Sequence, residues 1–192
     1  RMRRERFANA LTGLPANALA EERIAFQLSR KQPFGIVFID IDGFKAFNTR
    51  YGFARGDLVL RHLSELIVES LKFVGCEDSF VGHMGADDFV LLCSRDDAEQ
   101  VARETAAAFD TSILDYYGDE AGGRGCFTLA DRNGEEGQDG PVTLSAAVIQ
   151  LTDHFPTSAI TLNDIGQEPL AYGRAHPGSS VAVERRAEPG AR

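Results

Sequence analysis

The length, composition and charge of the chain exclude several classes of protein. The chain has 192 residues, 43% hydrophobic and 26% charged, which suits one globular domain with its own core and excludes a disordered or fibrous protein. The formal net charge of −9 opposes binding to a nucleic acid polymer, and it predicts that a phosphate-bearing ligand would need shielding cations such as magnesium.

Cysteine usage and hydropathy indicate a reducing compartment and no membrane contact by this segment. Cys76, Cys93 and Cys126 are odd in number and form no C-x-x-C pair, so they predict neither a disulfide framework nor a zinc site. The sequence lacks any apolar run of about 18 residues, the length that a membrane-spanning helix requires. We therefore expect a cytoplasmic location, either for the whole protein or for the cytoplasmic part of a larger one.

The two ends of the chain differ in composition from its centre. The Arg-rich residues 1–10 are typical of a linker helix that enters from an upstream domain. Residues 11–185 are expected to form the domain itself, and residues 186–192 a frayed tail.

The first half of the chain alternates helical and strand patterns. A helix over 17–31, capped by Asn17, is followed by a continuous apolar strand over 35–39 that suits burial on both faces. Two helices are predicted next, a short one over 44–50 and a longer one over 56–73. Two strands, 79–84 and 89–93, then flank a turn and form a hairpin.

The second half continues the alternation around one irregular segment. A helix is predicted over 96–110, and the residues rich in Gly, Asp and Glu over 115–141 are interpreted as an inserted hairpin and loop. A half-buried strand over 142–148, a helix over 161–175 and a strand over 180–184 complete the chain. The predicted fold class is α/β (α+β), with a mixed central sheet of about five strands covered by helices.

Carboxylates lie where two of these strands approach a turn. Asp40 and Asp42 follow the apolar strand, and Asp87 and Asp88 occupy the hairpin turn. Magnesium prefers such hard oxygen ligands, so Asp40, Asp87 and Asp88 are candidates to share one ion. Two adjacent aspartates are also ordinary turn residues, and the turn alone favours that structural interpretation.

Three motifs in order resemble the GGDEF family. They are Leu-Thr-Gly-Leu-Pro at 11–15, Asp-Ile-Asp-Gly-Phe-Lys-Ala-Phe-Asn at 40–48 with the Gly-Asp at 56–57, and Gly-Ala-Asp-Asp-Phe at 85–89. The resemblance covers almost the whole chain. It implies a nucleotide-cyclase-like palm fold, a bacterial cyclic-di-GMP signalling role, Mg²⁺ or Mn²⁺ as cofactor, GTP as ligand and flanking sensor or effector domains. It also implies a homodimer as diguanylate cyclase, and the finer pattern favours the subgroup that follows paired CBS domains.

The same resemblance assigns roles to individual residues. Asp40 and Asp88 would bind the metal, and Asp87 would either bind it or help to deprotonate the attacking ribose hydroxyl; together they form the catalytic set. The substrate-binding set comprises the guanine-reading Asn48 and Asp57 and the phosphate-contacting Lys45 and Arg174. Taken singly, Asn48 and Asp57 are also typical of surface residues or helix caps, and Lys45 of a solvated side chain.

Several positions depart from the family pattern. Ala86 stands at the second glycine and Asp88 at the glutamate, and Ser179 falls where the family has a phosphate-binding arginine. Cys76 and Ser79 replace the R-x-x-D pair of the product-inhibition site, so that site is expected to be absent. These departures leave open two alternatives to the enzyme: a catalytically inactive GTP-binding or interaction domain that regulates a neighbouring domain, and a purely structural dimerisation module.

Overall fold

The computed structural model describes residues 7–76, 78–122, 140–153, 155–156, 158–174 and 178–184. The strands are β1 (Phe34–Asp42), β2 (Phe80–His83), β3 (Asp88–Cys93), β4 (Thr143–Leu151) and β5 (Ser180–Glu184). The helices are α1 (Asn17–Arg30), α2 (Phe44–Tyr51), α3 (Phe53–Val74), α4 (Ala98–Ser112) and α5 (Ala159–Arg174), and a 3-10 helix spans Ile113–Gly122.

The five strands form one mixed sheet in the order β2-β3-β1-β4-β5. β1 is antiparallel to β3 and to β4, whereas β4 and β5 are parallel. The sheet with its covering helices confirms the predicted fold class. None of the described helices is both long enough and apolar enough to cross a membrane.

Helices cover both faces of the sheet, and the side-chain alternation of β1 divides the core in two. Val37, Ile39 and Ile41 point to the face packed by α2, α3 and α4, whereas Ile36 and Phe38 point to the face packed by α1 and α5. All nine residues of β1 are buried as a result. Continuing the alternation, Asp40 and Asp42 must point to the second face, toward α5.

Three local predictions were wrong. β1 continues through Asp42, so its two aspartates belong to the strand, because β4 pairs with it along its full length. β4 is buried at all but one position rather than half-buried, because it lies inside the sheet with helices on both faces. Asn17 does not cap α1: the cap is Ala16, and Asn17 Nδ2 instead donates to Glu21 Oε1 at 3.0 Å.

The predicted insertion and termini lie largely outside the described residues. Within 115–141 the described part belongs to the 3-10 helix, and residues 123–139 fall outside the description. Residues 1–6 and 186–192 also fall outside it, while residues 7–10 include an antiparallel bridge between Ala8 and Pro15. The linker helix, the domain limits and the frayed tail therefore stay predictions.

Candidate functional site

Three carboxylates converge at one end of the sheet. Asp88 begins β3 and pairs directly with Asp40 of β1, so their side chains leave the same face. Asp87 precedes β3 in the hairpin turn, and ligand oxygens of all three residues lie within 4.8 Å of one another. Like charges directly opposite on neighbouring strands are destabilising without a cation between them. Three hard oxygen ligands at this spacing fit a divalent ion such as Mg²⁺ or Mn²⁺.

Burial and the crowding of these carboxylates raise the pKa of Asp87 and Asp88. Partial burial, followed by the charges of Asp40 and Asp88, raises the pKa of Asp87 to about 6. Burial, and then the Asp40 charge, also raises the pKa of Asp88. A carboxylate with a pKa near neutrality exchanges a proton readily at physiological pH, which is the property required of a general base.

Arg174 lies beside this cluster and offsets part of its negative charge. Arg174, the last residue of α5, donates from Nε to Asp40 Oδ2 at 3.0 Å and lies 3.9 Å from Asp42 Oδ1. Asp42 is fixed by two hydroxyls of β4, since Thr143 Oγ1 donates to it at 3.0 Å and Ser145 Oγ at 2.8 Å. Burial is the main reason that the pKa of Asp42 is raised, although the two hydroxyl donors oppose the shift. Asp42 therefore holds Arg174 from the side away from Asp87 and Asp88, and it is not part of the three-carboxylate cluster.

The end of α5 reaches the sheet because Gly173 carries no side chain. A Cβ at Gly173 would lie 2.3 Å from Ser180 Oγ and 2.8 Å from Ser145 Oγ, both too close. A larger residue would push this end of the helix outward, and Arg174 with it. Gly173 and Ser145 thus position Arg174. Sequence reasoning missed both, although a glycine within a predicted helix and a hydroxyl within an apolar strand were available signals.

The predicted guanine-reading residues Asn48 and Asp57 and the predicted phosphate residue Lys45 lie on the neighbouring helices α2 and α3. The Asn48 side chain faces Gly56, and its Oδ1 is buried without a hydrogen-bond partner among the described residues. Such an orphaned acceptor is costly unless a ligand donor satisfies it. Asp57, on α3, is exposed, and so is Lys45, one turn before Asn48 on α2.

The hairpin turn accommodates its alanine without backbone strain. Among described residues, the one non-glycine with positive φ is Lys31, so Ala86 adopts an ordinary backbone conformation. The methyl group of Ala86 therefore causes none of the strain that a positive φ would impose on it. The shorter Asp88 still reaches the other two carboxylates.

Ser179 and His83 both make contacts within the fold. Ser179 Oγ donates to Asp110 Oδ1 and accepts from the Leu144 amide at 2.8 Å, which ties α4 to the start of β4. His83 is buried, stacks on Phe89 with ring centroids 4.3 Å apart, and lies 3.2 Å from Thr12 Oγ1 through its Nδ1. Burial lowers the pKa of His83, so it stays neutral and supplies no positive charge beside the turn.

Comparison with known proteins identifies the class to which this fold and site belong. The sequence profile described as "Diguanylate cyclase, GGDEF domain" matches residues 7–124, more than half of the chain. The chain therefore belongs to the GGDEF family, the module of cyclic-di-GMP signalling. The family generally uses a divalent metal, binds GTP or cyclic-di-GMP, and acts together with flanking domains.

The relatives are longer proteins, and this chain matches only one part of each. The probable diguanylate cyclase DgcE of Escherichia coli (strain K12) is 34% identical over 113 residues, which are 57% of this chain and 10% of DgcE. The cyclic di-GMP phosphodiesterase PdeR of the same strain is 31% identical over 102 residues, 52% of this chain and 14% of PdeR. The chain thus spans a small fraction of the length of these curated relatives.

A solved structure supports the fold. The coiled coil and GGDEF domain of DgcB from Caulobacter crescentus, solved in complex with c-di-GMP, superimposes with a TM-score of 0.72 at 17% identity. The match covers 95% of this chain and 88% of that one. At this level of identity the likeness concerns the fold.

Proposed function

We propose that this GGDEF domain binds GTP together with Mg²⁺ or Mn²⁺ and, when two copies face each other, condenses two GTP molecules into cyclic-di-GMP. The observation that carries the proposal is the convergence of Asp40, Asp87 and Asp88 within 4.8 Å. A bound divalent ion would neutralise the phosphate charge that develops during in-line transfer. Because the chain carries a net charge of −9, this neutralisation is especially important here.

Within the carboxylate cluster the proposed roles differ. Asp40 and Asp88, opposite each other across β1 and β3, would hold the ion. Asp87 would contribute to the same ion or accept the proton of the attacking ribose hydroxyl. All three lie at one end of the sheet, where Arg174 pairs with Asp40.

Base recognition is assigned to Asn48 of α2 and Asp57 of α3, and phosphate recognition to Lys45 of α2 and Arg174 of α5. Guanine presents N–H donors on its Watson–Crick edge, and the buried Asn48 Oδ1 and the Asp57 carboxylate are acceptors. Adenine lacks this donor pattern and would leave the Asn48 oxygen unsatisfied. Lys45 and Arg174 supply positive charge for the phosphates.

Turnover requires a second copy of the domain. One domain holds one GTP, whereas the product contains two, so the reacting groups must come from two domains related by a two-fold axis. Flanking domains of a longer protein would control this encounter. Placement in the subgroup behind paired CBS domains and the cytoplasmic location stay predictions.

Calorimetry with GTP and ATP in the presence of Mg²⁺ tests the binding proposal. We expect GTP to bind more tightly than ATP, and Asp57→Ala to reduce this preference. Glu69→Ala is the matched control, since it removes an exposed carboxylate from the same helix, about 18 Å further along its axis. Equal affinity for the two nucleotides, or unchanged selectivity in Asp57→Ala, would refute the guanine-reading assignment.

A catalytically inactive regulator is the second candidate, and Ser179 favours it. Ser179 is committed to Asp110 and the Leu144 amide, so it does not replace the arginine expected to contact phosphate. The similarity to PdeR, a phosphodiesterase, is compatible with a GGDEF domain that serves a neighbouring domain. A purely structural dimerisation module would leave the unpartnered Asn48 oxygen without explanation.

A further inference from the structure

Arg174 forms an ion pair with Asp40, one of the three proposed metal ligands, and this pair affects the order in which ligands bind. Arg174 Nε lies 3.0 Å from Asp40 Oδ2, and Asp40 is the strand member of the three-carboxylate cluster. Among the described residues, the Arg174 guanidinium is the cation within ion-pair distance of Asp40. A divalent ion at the cluster would approach this positive charge and be repelled by it.

The two partners of this ion pair differ in how freely their side chains can move. The Asp40 and Asp42 side chains are 11% and 7% exposed, whereas the Arg174 side chain is 43% exposed. Asp42 is further held by the hydroxyls of Thr143 and Ser145. The carboxylates are therefore fixed, and the arginine, at the end of its helix, is the side chain that can turn toward solvent.

We propose that Arg174 is a built-in counter-cation that occupies Asp40 until a nucleotide arrives, so that metal and nucleotide bind cooperatively. The phosphates of an incoming nucleotide offer the guanidinium a stronger bidentate partner than the single Nε contact to Asp40. When Arg174 turns to the phosphates, the repulsion at Asp40 is relieved and the ion enters with the nucleotide. This inference rests on the proposed GTP-binding function and adds an order of events to it.

Cooperative binding of the metal and the nucleotide must be reciprocal. If the nucleotide increases metal affinity through Arg174, the metal increases nucleotide affinity by the same factor. Removing the guanidinium should raise the affinity for the metal alone, lower the affinity for the nucleotide, and reduce the coupling factor. A residue that contacted phosphate without contacting Asp40 would change nucleotide affinity while leaving the affinity for the metal alone unchanged.

The test is a titration of the nucleotide-free protein with Mn²⁺, in which the electron paramagnetic resonance signal reports the concentration of free Mn²⁺. Arg174→Gln should bind Mn²⁺ about fivefold more tightly than the unaltered protein, the effect of losing one partly exposed charge contact. Arg174→Lys retains the charge and should bind Mn²⁺ nearly as the unaltered protein does. Arg103→Gln is the charge-matched control, because Arg103 pairs with Glu99 on the surface of α4. Melting temperatures establish that each variant is folded.

The same titration is then repeated with a GTP analogue whose α–β bridging oxygen is replaced by methylene, which blocks turnover. The ratio of Mn²⁺ affinities with and without the analogue should fall in Arg174→Gln and persist in Arg174→Lys. Unchanged or weaker Mn²⁺ binding by Arg174→Gln would overturn the inference, even where nucleotide binding is intact. Absence of analogue binding to the unaltered protein would instead refute the proposed function, and the comparison of Mn²⁺ alone would still decide the role of Arg174.

Discussion

Gly56→Ala is expected to separate nucleotide binding from folding. Gly56 lies on α3 against the Asn48 side chain, and a Cβ there would be 1.9 Å from Asn48 Oδ1 and 2.9 Å from Asn48 Cγ. Such a Cβ essentially never approaches another heavy atom closer than 3.0 Å, so the amide oxygen must move by at least about 1 Å or rotate away. Either movement removes the acceptor from the position in which it would meet guanine.

The two consequences have different magnitudes. Loss of one hydrogen bond to a buried acceptor costs about 1.5 kcal/mol, so GTP affinity should fall about tenfold. Stability should change by less than about 1 kcal/mol, because alanine favours the helix over glycine by roughly 0.5–1 kcal/mol while the displaced Asn48 rotamer costs a similar amount. In the absence of nucleotide, the movement breaks no hydrogen bond of Asn48 Oδ1.

Calorimetric titration with GTP and Mg²⁺, together with denaturant unfolding, measures both quantities. Asn48→Ala should lose a similar amount of GTP affinity, and Gly56→Ala combined with Asn48→Ala should lose little more, since both act on one contact. Additive losses in the double variant, or unchanged GTP affinity in Gly56→Ala, would refute the role given to the Asn48 oxygen. A loss of stability far above 1 kcal/mol would refute the local nature of the clash.

Three further outcomes are expected. The pKa of Asp87 rises on folding from 3.8 to about 6, so the folded state binds more protons in that window. On going from about pH 7 to about pH 5, protonation of Asp87 should therefore stabilise the metal-free protein, whereas the lowered pKa of the buried His83 favours the unfolded state in the same window. The informative quantity is the melting temperature of the unaltered protein minus that of Asp87→Asn, which should rise from about pH 7 to about pH 5; an unchanged difference would contradict the crowding. The exposed Asp96→Asn is the control, and its difference from the unaltered protein should not change. Tyr117→Phe should lower the free energy of unfolding by about 1–3 kcal/mol, because the buried Tyr117 hydroxyl accepts a hydrogen bond from the Val142 amide at 2.8 Å. Equal stability of the two proteins in denaturant melts would show that water replaces the hydroxyl. Cyclic-di-GMP should bind only weakly beside Cys76 and Ser79, and a submicromolar complex that is lost in Ser79→Ala would contradict this.

The large elements could be predicted from the sequence because their patterns are local. The helical spacing of Leu60, Leu63 and Ile67 indicated α3, and all three are buried. The apolar run of β1 indicated a strand buried on both faces, as observed. The convergence of Asp40, Asp87 and Asp88 could also be predicted, since a strand end and a hairpin turn lie at the same edge of the sheet.

The supporting contacts of the site depend on long-range packing and could not be predicted in the same way. The approach of Gly173 to Ser145 joins α5 to a strand nearly thirty residues earlier, and no local pattern specifies it. The pairing of Asp42 with Ser145 likewise follows from the β1–β4 register. The unstrained backbone at Ala86 reflects a turn conformation that composition alone leaves open.

Incubation of the purified protein with GTP and Mg²⁺, followed by chromatographic separation of the nucleotides, tests the central claim most directly. The account predicts that cyclic-di-GMP forms, that its rate rises more steeply than linearly with protein concentration, and that Asp40→Asn forms none. Fusion to a dimeric partner domain should increase the rate at low concentration. GTP that binds with Mg²⁺ yet stays unconverted in the fused dimer, even after Ala86→Gly and Asp88→Glu, would contradict the enzyme and leave the regulator.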